Sequence, residues 1–132
     1  MARIAKSGVV HLDTHIVCWL YEGRTELLTA AAMSALESGL LQVSPMVQLE
    51  LTYLHEIGRI SRGADYVLEA LSSDIGLSVA DVSFAQVTKT AEALTWTRDP
   101  FDRMIVAHCM VAGAVLVSKD ALIHQNFSKV VW

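Results

Sequence analysis

A chain of 132 residues has room for one hydrophobic core, and 53% hydrophobic against 18% charged side chains fill it generously. Its 14 acids outnumber 10 Lys and Arg, and the net charge of −4 excludes the basic excess of a general nucleic-acid coat. So apolar a composition fits a dimer, a face covered by a partner, or a small α/β protein whose sheet is covered on both sides, and composition alone does not separate these.

Residues 8–12 (GVVHL) read as a buried strand that ends at Asp13, after which residues 14–21 turn helical with Ile16, Val17 and Leu20 on one side. Residues 26–37 (ELLTAAAMSALE) read by composition as a second helix stopped by Gly39, and residues 41–43 as a short strand. Ser44-Pro45 supplies an N-cap and then a proline where a missing N–H is harmless. The helix it opens runs to about Ile57 and is ended by Gly58, with Val47, Leu51 and Leu54 as its apolar stripe and Glu50 at the stripe's edge. A helix over 63–72, a strand over 77–79 and a helix over 83–94 follow. Asp99-Pro100 repeats the cap-and-proline device ahead of a helix carrying Asp102, Ile105, Val106, Cys109 and Met110. Residues 114–117 form a strand, 120–125 a helical turn, and Val130-Val131 a candidate last strand. Apolar strands alternating with helices predict a parallel sheet with helices on both faces, in one domain spanning 1–132 without repeats or linkers. Ligands of such sheets bind beyond the carboxyl ends of the strands, where strand order reverses.

Four acids end or open these apolar elements: Asp13, Glu50, Asp102 and Asp120. Gathered in one cleft they repel one another, and a divalent cation is the simplest way to neutralise them. Setting these four aside leaves ten acids against ten bases, so a metal-loaded protein meets a phosphate backbone without global repulsion, through bases such as Arg24, Arg59, Arg62, Arg98, Arg103 and Lys119. Each acid also has a plainer reading. Asp13 can cap the helix at Thr14, or Thr14 can steady it as a ligand. Glu50 can lie on a solvated face, although neither i−4 nor i+4 carries Lys or Arg. Asp99 reads mainly as a cap, Asp102 as a capping-box residue or a metal contact, and Asp120 as a turn residue or a ligand.

Other chemistries lack their parts. His11 and His15 are four apart, but the change from strand to helix between them removes the shared face that zinc ligation needs. His55, His108 and His124 are scattered and read as structural. No Gly-rich phosphate loop, GxSxG or GxGxxG is present. Cys18 and Cys109 have no zinc spacing and read as reduced core residues. The start, MARIAKSGVV, has bases without an apolar h-region, and the longest nearly apolar run, MIVAHCMVAGAVLV, is too short to span a bilayer, so a soluble cytoplasmic protein is expected.

The ordered segments LDTHIVCWL, SPMVQLELTYL, RDPFDRMIVAHCMV and AVLVSKD resemble the successive motifs of PIN domains, especially VapC-type toxins of toxin–antitoxin pairs, over essentially the whole chain. The resemblance implies a three-layer α/β/α sandwich around a parallel sheet, a Mg²⁺- or Mn²⁺-dependent ribonuclease, a homodimer, and a small antitoxin that inhibits it. It places the family's acidic site on Asp13, Glu50, Asp102 and Asp120, with Asp99 as an auxiliary acid and Ser118 as a polar helper, beside the Thr14 that the residues themselves suggest as an auxiliary. An alternative keeps the fold as a non-catalytic RNA-binding or assembly subunit. A receiver-like phosphoacceptor domain fits less well, because no acid pair follows the first strand.

Overall fold

The structure, a computed structural model, describes residues 8–132. The reading of the first residues as free of a leader peptide lies outside the described residues. In chain order the elements are β1 (Val9–Leu12), α1 (Thr14–Tyr21), a 3₁₀ turn (Thr25–Leu27), α2 (Ala30–Ser38), β2 (Leu40–Val43), α3 (Pro45–Glu56), α4 (Ala64–Ile75), β3 (Ser78–Val79), α5 (Phe84–Ala91), α6 (Pro100–Ala112), β4 (Val115–Val117), α7 (Ala121–Asn126) and β5 (Val130–Val131). All strand pairings are parallel and the order is β3-β2-β1-β4-β5.

Successive side chains on a strand point to opposite faces. Val10, His11 and Leu12 are nevertheless all buried, so both faces of β1 are covered. His11 lies against His108 of α6, whereas Val10 meets Gly39 just beyond α2. The sheet is thus the middle layer of the expected α/β sandwich. The chain steps outward from β1 through β2 to β3, then returns to lay β4 on the other side of β1. The reversal falls between β1 and β4, and the backbone N–H of Asp13 continues that ladder onto the Val117 carbonyl at 3.1 Å. Asp13 and Ser118 therefore emerge side by side at the ligand-binding edge of the sheet.

The helix expected over 26–37 is two pieces. Thr29 adopts extended φ/ψ (−72°, 164°) and its hydroxyl accepts the Ala32 N–H at 3.1 Å, which makes it an N-cap and restarts the helix at Ala30. The fourth helix runs three residues past the expected 72, to a left-handed Gly76 (φ 72°). The helix opened at Ser83 ends at Ala91, short of the expected 94.

Gly39 ends α2 as expected, but not through a left-handed turn: its φ is −99°. Its requirement is space. A Cβ there would stand 2.2 Å from Cγ2 of Val10, with the Ala35 carbonyl at 3.2 Å, at the point where α2 delivers the chain into β2 beside β1. Gly39→Ala should therefore lower stability by about 1–3 kcal/mol through overpacking, seen as a reduced denaturation midpoint with an unchanged slope.

Candidate active site

The mouth of the sheet is a cavity of about 330 Å³ whose lining includes Asp13, Thr14, Glu50, Asp102 and Asp120. Each acid arrives from a different element. Asp13 is the N-cap of α1, Glu50 sits mid-way along α3, Asp102 is in the first turn of α6, and Asp120 is the N-cap of α7. The helices of Asp13, Glu50 and Asp102 converge because α3 packs on both α1 and α6, and Asp120 joins them from the end of β4.

Two hydroxyls fix this arrangement. Oδ1 of Asp13 accepts the Thr14 N–H at 2.8 Å, and its Oδ2 accepts the Ser118 hydroxyl at 2.7 Å. Ser118 is itself fully buried and accepts the Asp120 N–H at 3.1 Å, so one hydroxyl ties the end of β1 to the start of α7. The Thr14 hydroxyl donates to Oε1 of Glu50. Asp13 and Thr14 are almost wholly buried, at 5% and 4% exposure, so the first carboxylate is a preset part of the cleft floor.

Asp99 stands just outside, as expected of a cap. Its Oδ1 accepts the Phe101 N–H at 2.8 Å and the Asp102 N–H at 3.4 Å. Its charge still reaches inward. Burial, then the carboxylates of Asp99, Asp13, Asp120 and Glu50, push the Asp102 carboxyl up to about 7. Burial also raises Glu50, with Asp13 and Asp99 adding to it and the Thr14 hydrogen bond opposing it. The cleft thus holds more negative charge than its surroundings balance, and oxygen-only donors of this kind suit a hard divalent cation.

Among the described residues no three acidic, imidazole or thiol side chains come together closely enough to grip one ion directly. Mg²⁺ keeps several of its waters and is commonly held by one or two carboxylates, so the spacing is compatible with a hydrated ion. Asp13, Asp102, Glu50 and Asp120 are the side chains that would hold it.

The cleft also contains residues whose role sequence alone did not reveal. His15 accepts the Lys119 N–H on Nε2 at 3.0 Å and points Nδ1 toward Oδ2 of Asp13 at 3.7 Å. Its ring meets Trp19 edge-on at 5.1 Å. Burial lowers the imidazole below its ordinary value, against the pull of Asp13 and Asp120. Cys18 and Glu22 line the wall as well. The signal was present in the sequence: Thr14, Cys18 and Glu22, and His15 and Trp19, recur at intervals of four and share one face of α1. Arg59 reaches the cavity from the loop after α3, where no periodicity points to it.

A parallel sheet whose order reverses beside a cleft lined by acids defines an α/β protein with an acidic pocket at its switch point. A protein-family model described as PIN domain matches residues 10–127, and the chain belongs to the PIN domain family. Solved structures that share the fold include three from toxin–antitoxin systems. VapBC2 from Rickettsia felis, bound to a DNA fragment from its promoter, is 18% identical with a TM-score of 0.64, covering 92% of this chain and 96% of that one. A toxin–antitoxin complex from Klebsiella pneumoniae is 20% identical with a TM-score of 0.66, covering 93% and 96%. VapBC-1 from nontypeable Haemophilus influenzae is 17% identical with a TM-score of 0.64, covering 92% and 94%. No curated protein matches the sequence.

Proposed function

We propose that this PIN-domain protein is a Mg²⁺- or Mn²⁺-dependent endoribonuclease and the toxin of a toxin–antitoxin pair. The observation that carries the reading is that Asp13, Glu50, Asp102 and Asp120, from four different elements, line one cleft at the sheet's switch point; burial and the neighbouring carboxylates there push the Asp102 carboxyl up to about 7. Asp13, Glu50, Asp102 and Asp120 would hold a hydrated cation there, which when bound would supply positive charge, a more acidic water and charge balance for a scissile phosphate. The protein's own part is placement. Ser118 and Thr14 lock Asp13 and Glu50 in fixed orientations, so the acids need not reorganise when a phosphate arrives. No side-chain nucleophile is called for: the one thiol on the cleft wall, Cys18, is raised to about 11 by burial and by Glu22 and Glu50, and stays protonated.

The toxin assignment draws on the toxin–antitoxin structures described above, which share the fold. A cognate small antitoxin and a second copy of the chain are the proposed protein partners, and exposed Leu49, Tyr53 and Phe84 offer them apolar surface. Among the described residues no helix is long and apolar enough to cross a membrane, and both cysteines are free; we place the protein in the cytoplasm.

Purified protein should cut single-stranded or structured RNA with Mg²⁺ or Mn²⁺, lose that activity in EDTA and recover it when Mg²⁺ is restored. Equal cutting in EDTA would overturn the metal-dependent mechanism. The non-catalytic alternative takes support from the wide spacing of the acids, and predicts RNA binding without cleavage and no heat of Mg²⁺ binding by calorimetry.

A further inference from the structure

The acid cleft does not close at Arg59. A second cavity of about 280 Å³ shares Cys18, Glu22, Arg59 and Ile60 with it and continues past Arg62 to Tyr21. The sign of the charge changes along this path. The inner part is walled by Asp13, Glu50, Asp102 and Asp120; the outer part carries Arg59 and Arg62, with Glu22 as its single acid at the boundary. Neither arginine has an ion-pair partner among the described residues, whose ion pairs involve His15, Arg24 and Lys89.

Both arginines are exposed yet placed. The Arg59 N–H is bonded to the Leu54 carbonyl at 2.8 Å, holding the turn that follows α3. The Arg62 guanidinium lies over the Tyr66 ring at 4.6 Å, and Tyr66 meets Tyr21 edge-on at 6.2 Å. Tyr66 is 52% exposed, so an aromatic ring with Arg62 over one face stays partly open at the outer end of the groove, into which Arg59 also projects. Arginines that match phosphate in a bidentate manner, next to an aromatic ring on which a base can stack, form the usual elements of a single-strand site. The volume is just under the roughly 300 Å³ at which small-molecule pockets begin, which suits one nucleotide rather than a folded element.

Resting on the ribonuclease reading, we infer that the groove formed by Arg59, Arg62, Tyr21 and Tyr66 is a substrate subsite, which binds the phosphate and base of a nucleotide neighbouring the scissile bond in single-stranded RNA. A chain of net charge −4 has no global attraction for RNA, so an arginine pair at the lip of an acid cleft supplies it locally.

The test compares wild type, Arg59→Gln/Arg62→Gln and a charge-matched control, Lys89→Gln/Lys129→Gln, on fluorescein-labelled, randomised single-stranded RNA. In Mg²⁺ the arginine variant should raise KM by about ten-fold or more, with the larger effect on KM than on kcat, and the control should not. Its binding, followed by fluorescence anisotropy, should fall less steeply with salt, the slope shallower by about 0.7 for each phosphate that is no longer neutralised. Unchanged KM and salt slope in the arginine variant would overturn the subsite and leave the nuclease standing. Absence of cleavage by wild type would overturn the nuclease, while anisotropy still decides the subsite: about ten-fold weaker binding by the arginine variant supports it, and equal or no binding by both proteins removes it. A variant that binds RNA normally but no longer associates with a co-expressed protein partner would likewise overturn it, assigning the groove to that partner.

Discussion

Asp102→Asn should abolish cation-dependent RNA cleavage and, in the same protein, raise the melting temperature of the metal-free form. Both outcomes follow from one fact, that burial and the charges of Asp99, Asp13, Asp120 and Glu50 hold the Asp102 carboxyl near 7. Above that pH the ionised group is held at a free-energy cost that a cation would relieve. Asparagine keeps the shape and deletes the charge. Loss of outer-sphere partners of a metal ligand typically lowers affinity or activity by about 10–100-fold, so loss of a ligand itself should lower it by about 100-fold or more. Because the folded group holds a proton that the unfolded chain releases between the ordinary 3.8 and about 7, the metal-free wild type loses stability as pH rises through this window. The gain from asparagine should thus be largest above pH 7 and fade toward pH 4, at about 4 °C for each kcal/mol relieved.

Asp13→Asn separates the two readouts. Asp13 accepts from the Thr14 N–H and the buried Ser118 hydroxyl, and one of its oxygens becomes an amide donor facing that network. Its activity should fall with that of Asp102→Asn, but its stability should fall too. Differential scanning fluorimetry at pH 8 and a gel-based cleavage assay read both. Full cleavage by either variant would remove these residues from the active site, and a destabilised Asp102→Asn at pH 8 would mean that the carboxylate is favoured by the fold.

The difference between these two acids also marks how far the sequence is legible. Asp13, Ser44 and Asp99 announce themselves because capping is local: each of these side chains bonds to an N–H within three residues, and so does Asp120, which reads from sequence only as a turn residue or a ligand. β1, α1, α3 and α6 lie close to where caps, prolines and apolar runs put them. The split at Thr29 was hidden because ELLTAAAMSALE is helix-forming on both sides of a residue that also caps well. The convergence of Glu50 and Asp102 on Asp13 depends on how α3 crosses α1 and α6, which no local signal encodes; the order of the motifs supplied it only through likeness to a family. Arg59 and Arg62 lie in a loop with no period at all, and their relation to the cleft is visible only in three dimensions.

Acidification should expose a second buried charge problem between β1 and α6. His11 is 1% exposed, its ring lies 5.4 Å from that of His108, and no nitrogen of His11 nor Nε2 of His108 has a hydrogen-bond partner among the described residues. Burial first, then the neighbouring His108, lowers His11 to about 4. Burial lowers His108 as well, with Asp81 opposing. The unfolded chain therefore takes up protons near 6.5 that the folded one refuses, and stability falls as pH drops from 6.5 toward 4, by up to about 3 kcal/mol from His11. In the metal-free wild type the protonation of Asp102 works in the opposite direction over much of the same range, so the two partly cancel. The Asp102→Asn background removes the cancellation. There, urea denaturation at pH 7.5 and pH 5 should show a marked acid loss, and His11→Phe, which fills the same space without a titratable group, should flatten it. An acid loss that persists unchanged in His11→Phe would move its origin away from the histidine pair. An acid loss as large in wild type as in Asp102→Asn would show that the raised carboxyl and the depressed imidazole do not oppose one another, and that the charge in the cleft is already balanced without a cation.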